Sequence, residues 1–353
     1  MTDDRGVEPK RGSTDGDADS GGAASPPESS RAAPPPRPGL SYFTIEGRAA
    51  PALFVIGWLA SILGIAILVV GGLGSSELLV YFIGPLLLSA GLIAACGSQA
   101  IERRVRGAAY AGPSPYLVFG AMIAVTYAIA YPVGSVLSFV LGSAQLPVYV
   151  VRLIGVALQG AIFVGVVRLT VVGTGALSWR EMGWRRFDGD ALRDLGTGLL
   201  FAVPIFGVTT IIAALLVSIF QTAPEAPLPP TGVVAGTIVQ LIAGAVIAPL
   251  TEETVFRGFA ITAWRRTVGD NGALVRASLL FALAHVIDVS GGSLSQVGGL
   301  IVVGFVARLP VAFALGWLFL RRRSIWAPIG LHMGFNGVIL LLAELATRAS
   351  TGG

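Results

Sequence analysis

Runs of about 20 apolar residues recur along the chain, separated by short stretches rich in Gly, Pro, Ser and Arg. Nine such runs occur, at 51–73, 78–100, 115–141, 147–171, 195–219, 233–264, 273–288, 297–320 and 325–346. About 20 apolar residues is the length a helix needs to cross a bilayer. The pattern therefore predicts an all-α, polytopic integral membrane helical bundle of about nine transmembrane helices. The sixth run is long and contains Pro249, which predicts a kink there. The seventh is short for a full crossing. Residues 1–46 break the pattern: they are rich in Pro, Gly, Ser and Asp, with Pro34, Pro35, Pro36 and Pro38 close together. Such a segment cannot bury a core, so a disordered tail is expected. No apolar run follows the first few residues, and no secretory signal peptide is expected. The chain thus divides into a tail at 1–46, a first group of transmembrane helices at 47–229 and a second group at 230–347.

Composition agrees with the membrane reading. Of 353 residues 54% are hydrophobic and 12% charged, against about 25% charged in soluble domains. A net charge of +4 would suit nucleic acid in a soluble protein. Here the arginines flank the apolar runs, so the charge encodes topology and no nucleic-acid partner is expected. Connections 74–77, 142–146, 220–232 and 289–296 contain no Lys or Arg. The alternate connections carry Arg103, Arg104 and Arg106; Arg180, Arg185 and Arg186; Arg265 and Arg266; and Arg321, Arg322 and Arg323. The positive-inside rule then predicts a multi-pass protein of the cell (plasma) membrane, with its N-terminus cytoplasmic and its C-terminus outside. Arg348 is the exception. Trp179, Trp184, Trp264 and Trp326 fall near predicted interfaces. The single cysteine, Cys96, lies in an apolar run and reads as packing.

Ionisable groups inside apolar runs cost roughly 2.5–3.5 kcal/mol each on insertion scales, and they usually mark function. The chain has two histidines, His285 and His332, each in an apolar segment, and the pair Glu252 and Glu253 lies in a third. At 1.5 Å per residue, Glu252 is about 20 Å from Arg265 and His285 about 14 Å from Arg276. His332 is about 14 Å from Arg323, and Asn336 about 20 Å. All four fall near mid-membrane and could line one polar intramembrane chamber. His332 and Asn336, at i and i+4, share a helix face. Glu253 and Arg257 have the spacing of an ion pair, with the acid in the favourable N-terminal position. Glu252 is rotated by about 100° from Glu253, which leaves it available as a base. The alternative is structural: histidines bonded to backbone and a Glu–Arg packing clamp. Arg308 either lines the chamber or pairs with an acid, and Glu344 is expected to reach the interface.

The residues also resemble a known set. Glu252–Glu253–Thr254–Val255–Phe256–Arg257 is similar to the EExxxR motif of the CPBP (CAAX protease and bacteriocin-processing, also ABI) family of intramembrane proteases. Phe281 to His285 is similar to its FxxxH motif, and His332 to Asn336 to its HxxxN motif. The order matches, and the resemblance covers roughly residues 230–345. It implies an intramembrane endopeptidase acting on membrane-associated peptides or proteins, CAAX-like prenylated ones among them. Carried over motif by motif, Glu252 activates water, His285 holds that water, His332 and Asn336 stabilise the oxyanion, and Glu253 with Arg257 supports the first motif. Glu252 and two histidines could hold Zn2+ with an open position, but the HExxH helix of many zinc proteases is missing. Zn2+ and metal-free chemistry both stay open. A non-catalytic scaffold or bacteriocin-immunity-type protein of the same fold is the alternative, and a proton-coupled transporter a third, disfavoured by the lack of an internal repeat.

Overall fold

The computed structural model describes residues 44–141, 146–224, 226 and 228–351, and every regular element among them is helical. The predicted tail lies outside the described residues up to position 43. Among the described residues, eight helices are long and apolar enough to cross a membrane: α1 (Pro51–Leu73), α2 (Leu79–Val105), α3 (Pro115–Leu141), α4 (Val148–Val172), α5 (Gly189–Phe220), α6 (Val234–Ala284), α7 (Leu294–Arg322) and α8 (Trp326–Ser350). The chain is an integral membrane helical bundle.

Eight helices account for nine predicted spans because α6 holds two of them. It has 51 residues, about 75 Å if straight, more than twice the hydrocarbon thickness. The helix breaks at Gly269, where φ is 74° and ψ is 178°. That region of backbone space is open essentially to glycine alone. The chain doubles back there, bringing His285 within 3.7 Å of Glu252. The second arm, 270–284, is too short for a full crossing and stops at His285. The chain then runs through turns to Ser293, whose side chain caps α7 by accepting from the Gln296 amide.

Small residues let the helices approach. α1 buries only Gly57, Gly64 and Gly71, one stripe at a seven-residue interval, while most of its large side chains face outward. A Cβ at Gly64 would stand 2.6 Å from the Leu88 backbone nitrogen of α2. Backbone-to-backbone contact of this kind is how membrane helices associate when lipid removes the hydrophobic drive. α5 and α8 cross the same way, at Gly198 and Gly330.

The arginine-rich connections meet at one end of the bundle. Arg104 bonds the Thr174 carbonyl, and Arg266 reaches the Ala176 carbonyl (3.3 Å) and Glu181 (2.5 Å). Arg323 pairs with Asp270 at 3.0 Å, and Arg185 donates to the Arg323 carbonyl at 2.9 Å. Connections α2–α3, α4–α5 and α7–α8 and the Gly269 turn are thus tied together, as the alternating charge pattern requires. Glu181 is held below the ordinary carboxylate range, first by the Ser178 backbone N–H and hydroxyl and then by Arg266.

Candidate active site

The site forms where the two arms of α6 face α7 and α8. Two stretches of π-helix, Ile242–Ile247 and Thr254–Ile261, flank the short α-helical segment that carries Glu252 and Glu253. A π-turn leaves backbone carbonyls off the regular ladder, and such turns are frequent at functional sites. The Gly244 carbonyl, inside the first of them, accepts from Nδ2 of Asn336 at 2.8 Å.

Helix rotation separates the two acids. Glu253 is fully buried, and its Oε1 accepts from Arg257 Nη1 at 3.0 Å and from His332 Nδ1 at 2.8 Å. Arg257, also buried, donates in addition to the Ala312 carbonyl of α7 at 3.3 Å. One carboxylate thereby joins α6, α7 and α8. The expected Glu253–Arg257 pair is present, and it has a third member, His332, that helical spacing within one segment could not show.

Glu252 points elsewhere. Its side chain is about a quarter exposed and lines a cavity of about 350 Å³ together with His285, Arg308 and apolar and polar side chains of α3 and α4. Its Oε2 stands 3.7 Å from His285 Nε2 and 3.9 Å from His332 Nε2. His285 Nδ1 donates to the Phe281 carbonyl at 2.8 Å, and His332 Nδ1 to Glu253. A carbonyl and a carboxylate oxygen only accept, so Nδ1 carries a proton in both rings and Nε2 is the atom left facing Glu252. Glu252 Oε2 and the two Nε2 atoms converge on one point from separations too long for direct hydrogen bonds.

Phe281, to which the motif alone gave no role, organises both rings. Its centroid is 4.5 Å from that of His285 and 5.8 Å from that of His332, and the Arg257 guanidinium lies 4.3 Å above it. The apolar span hid this contribution, because one more aromatic residue there gives no contrast. Glu344, in the last helix, is buried and accepts from the Thr231 and Gly232 amides of the connection before α6 at 2.6 and 3.0 Å. Asn336 has one amide hydrogen committed to Gly244. Neither it nor His332 joins the cavity lining among the described residues.

The donor types of Glu252, His285 and His332 suit Zn2+. Ligands bound tetrahedrally at about 2.0–2.2 Å lie about 3.3–3.6 Å from one another, and the separations here, 3.7 and 3.9 Å, are somewhat wider. Among the described residues no group of three or more His, Cys, Asp or Glu is placed to hold a metal ion.

Residues 234–338 match the family model for type II CAAX prenyl endopeptidase Rce1-like proteins. The match covers both arms of α6, all of α7 and the part of α8 that carries His332 and Asn336, and it bears out the resemblance read from the three motifs. No curated protein and no solved structure matches the chain.

Proposed function

We propose that the chain is an intramembrane endopeptidase in which Glu252 activates a water for attack on a peptide bond of a membrane-associated substrate. The observation that carries this reading is the convergence of Glu252 Oε2 and two imidazole Nε2 atoms, with Glu252 and His285 lining a cavity large enough for a peptide bond. In this reading a water lies between them. It donates one proton toward Glu252 and the other toward His285, which leaves its oxygen lone pair for the scissile carbonyl.

In the proposed sequence, Glu252 takes the proton of the attacking water. The water oxygen bonds the carbonyl carbon, which becomes tetrahedral; as its oxyanion re-forms the carbonyl, the C–N bond breaks and Glu252 passes the proton to the leaving amine. The developing oxyanion is met by His332 Nε2 and by the second amide hydrogen of Asn336. His332 donates from Nε2 only as the imidazolium, and Glu253 on its Nδ1 is placed to balance that charge. Arg257 and Phe281 hold this second layer rigid. The proposed chemistry is metal-free, a reading supported by separations somewhat wider than those between the ligands of a tetrahedral ion. Substrates of CAAX type, prenylated near the C-terminus, follow from the family match alone. A plasma-membrane location with the arginine-rich end in the cytoplasm follows from the charge pattern.

The test is cleavage of membrane-anchored reporter peptides by the full chain in lipid vesicles, comparing wild type with Glu252→Ala and His285→Ala. Cleavage that both substitutions abolish, and that chelators leave unchanged, supports the reading. A wild type that cleaves nothing while binding partner proteins returns the scaffold alternative, and activity lost to chelation and restored by Zn2+ overturns the metal-free step.

A further inference from the structure

Arg308 is the central residue of α7, roughly 20 Å from either helix end. It lines the cavity that contains Glu252 and His285, and its charge acts on both. One nitrogen, Nη1, donates back to the Gly304 carbonyl at 2.8 Å. Among the described residues it makes no salt bridge, and Asp288, which also lines the cavity, forms none with it. A permanent cation at mid-membrane is turned into a cavity where Glu252 acts on it only from beyond ion-pair distance and one nitrogen is bonded to a carbonyl, which leaves guanidinium N–H groups for an anionic ligand. Lipid phosphates stand about 15 Å away at the bilayer edge. The ligand must therefore enter the cavity, and the molecule that enters is the substrate.

We infer that Arg308 is a specificity-determining residue that receives a carboxylate of the peptide substrate and so fixes which bond lies over Glu252. The inference rests on the endopeptidase reading for the nature of the ligand. The planar guanidinium matches a carboxylate with two parallel N–H···O bonds, a fit an ammonium cannot reproduce. Two sources carry that chemistry: the free C-terminus of the substrate and an acidic side chain close to the scissile bond.

The experiment uses the full chain in lipid nanodiscs and matched peptides: free acid against C-terminal amide, and Asp against Asn beside the cleaved bond. Wild type is expected to show a KM about ten- to a hundredfold lower for one charged peptide than for its neutral counterpart. Arg308→Gln erases that ratio, and Arg308→Lys restores part of it. Which pair loses its ratio identifies the source. The same ratio is read as binding to Glu252→Gln protein, where no turnover is needed. If the charged form binds better and Arg308→Gln abolishes the difference, yet wild type cleaves nothing, the carboxylate receptor stands and the endopeptidase reading falls. If wild type cleaves charged and neutral peptides alike, or Arg308→Gln slows both equally, the inference is overturned. Unchanged thermal unfolding of Arg308→Gln separates either result from misfolding.

Discussion

Glu252 and Glu253 are chemically identical neighbours that one helix sends into different surroundings. Glu253 is committed to Arg257 and His332 in a dry interior, whereas Glu252 faces the cavity. Substitution should separate them. Glu252→Gln is expected to lower kcat by about 10²–10⁴ and leave thermal unfolding near wild type. Glu253→Gln removes the charge that accepts from Arg257 and His332, and breaking a buried pair costs about 3–5 kcal/mol, so its unfolding temperature in detergent should fall clearly. Phe281→Leu keeps bulk but not the ring that both imidazoles and Arg257 rest on. Because an ångström of misplacement can cost about 100-fold in rate, a loss of that order is expected in kcat with a smaller change in KM. The acids and histidines stand out in the sequence because each is an expensive exception within an apolar run. Phe281 blends into that run, and the bonds of Glu344 to Thr231 and Gly232 were not legible because depth along a helix says nothing about the direction a side chain turns.

Among the helices, the α6 hairpin has the greatest bearing on the site. Gly269→Ala places a side chain at φ 74°, ψ 178°, a cost of order 1–3 kcal/mol. It acts on the turn that aligns the two arms. Hydrogen exchange is expected to rise first in 262–285, with activity falling before global unfolding. The lengths of the helices were legible in the sequence because bilayer thickness sets them. The joining of two predicted spans into one broken helix was less so, since the Gly269 region reads equally well as an ordinary loop. The π-turns on either side of Glu252 leave no signature in residue pattern, because their apolar side chains serve α- and π-geometry alike.

For the whole molecule, the arginine pattern predicted which connections share an end, and the contacts among Arg104, Arg266, Arg323 and Arg185 join those connections directly. Cysteines introduced singly at 108, 186, 271 and 323, in a background with Cys96 replaced, should be labelled by an impermeant thiol reagent from one face of a sealed vesicle only. Labels at 75 and 292 should enter from the other face. A mixed result would break the nine-pass arrangement. The site itself was legible only in part. Depth placed the acid and the imidazoles in one layer, but closeness within that layer depends on how α6, α7 and α8 pack, which no single-chain periodicity records.

Glu252 lies 17 positions before Gly269 and His285 lies 16 after it, nearly equal distances along two legs that share one pivot. The spacing between the Glu252 carboxylate and the His285 imidazole is therefore locked to the number of residues in each leg. Adding a single alanine at 273 would advance His285 by about 1.5 Å and swing it by about 100°, away from the carboxylate. Inserting the same residue at 291, in the turn beyond the hairpin, would leave that alignment untouched. Evolution can vary the outer turns of such a protein freely but can lengthen this pair of legs only by whole helical periods.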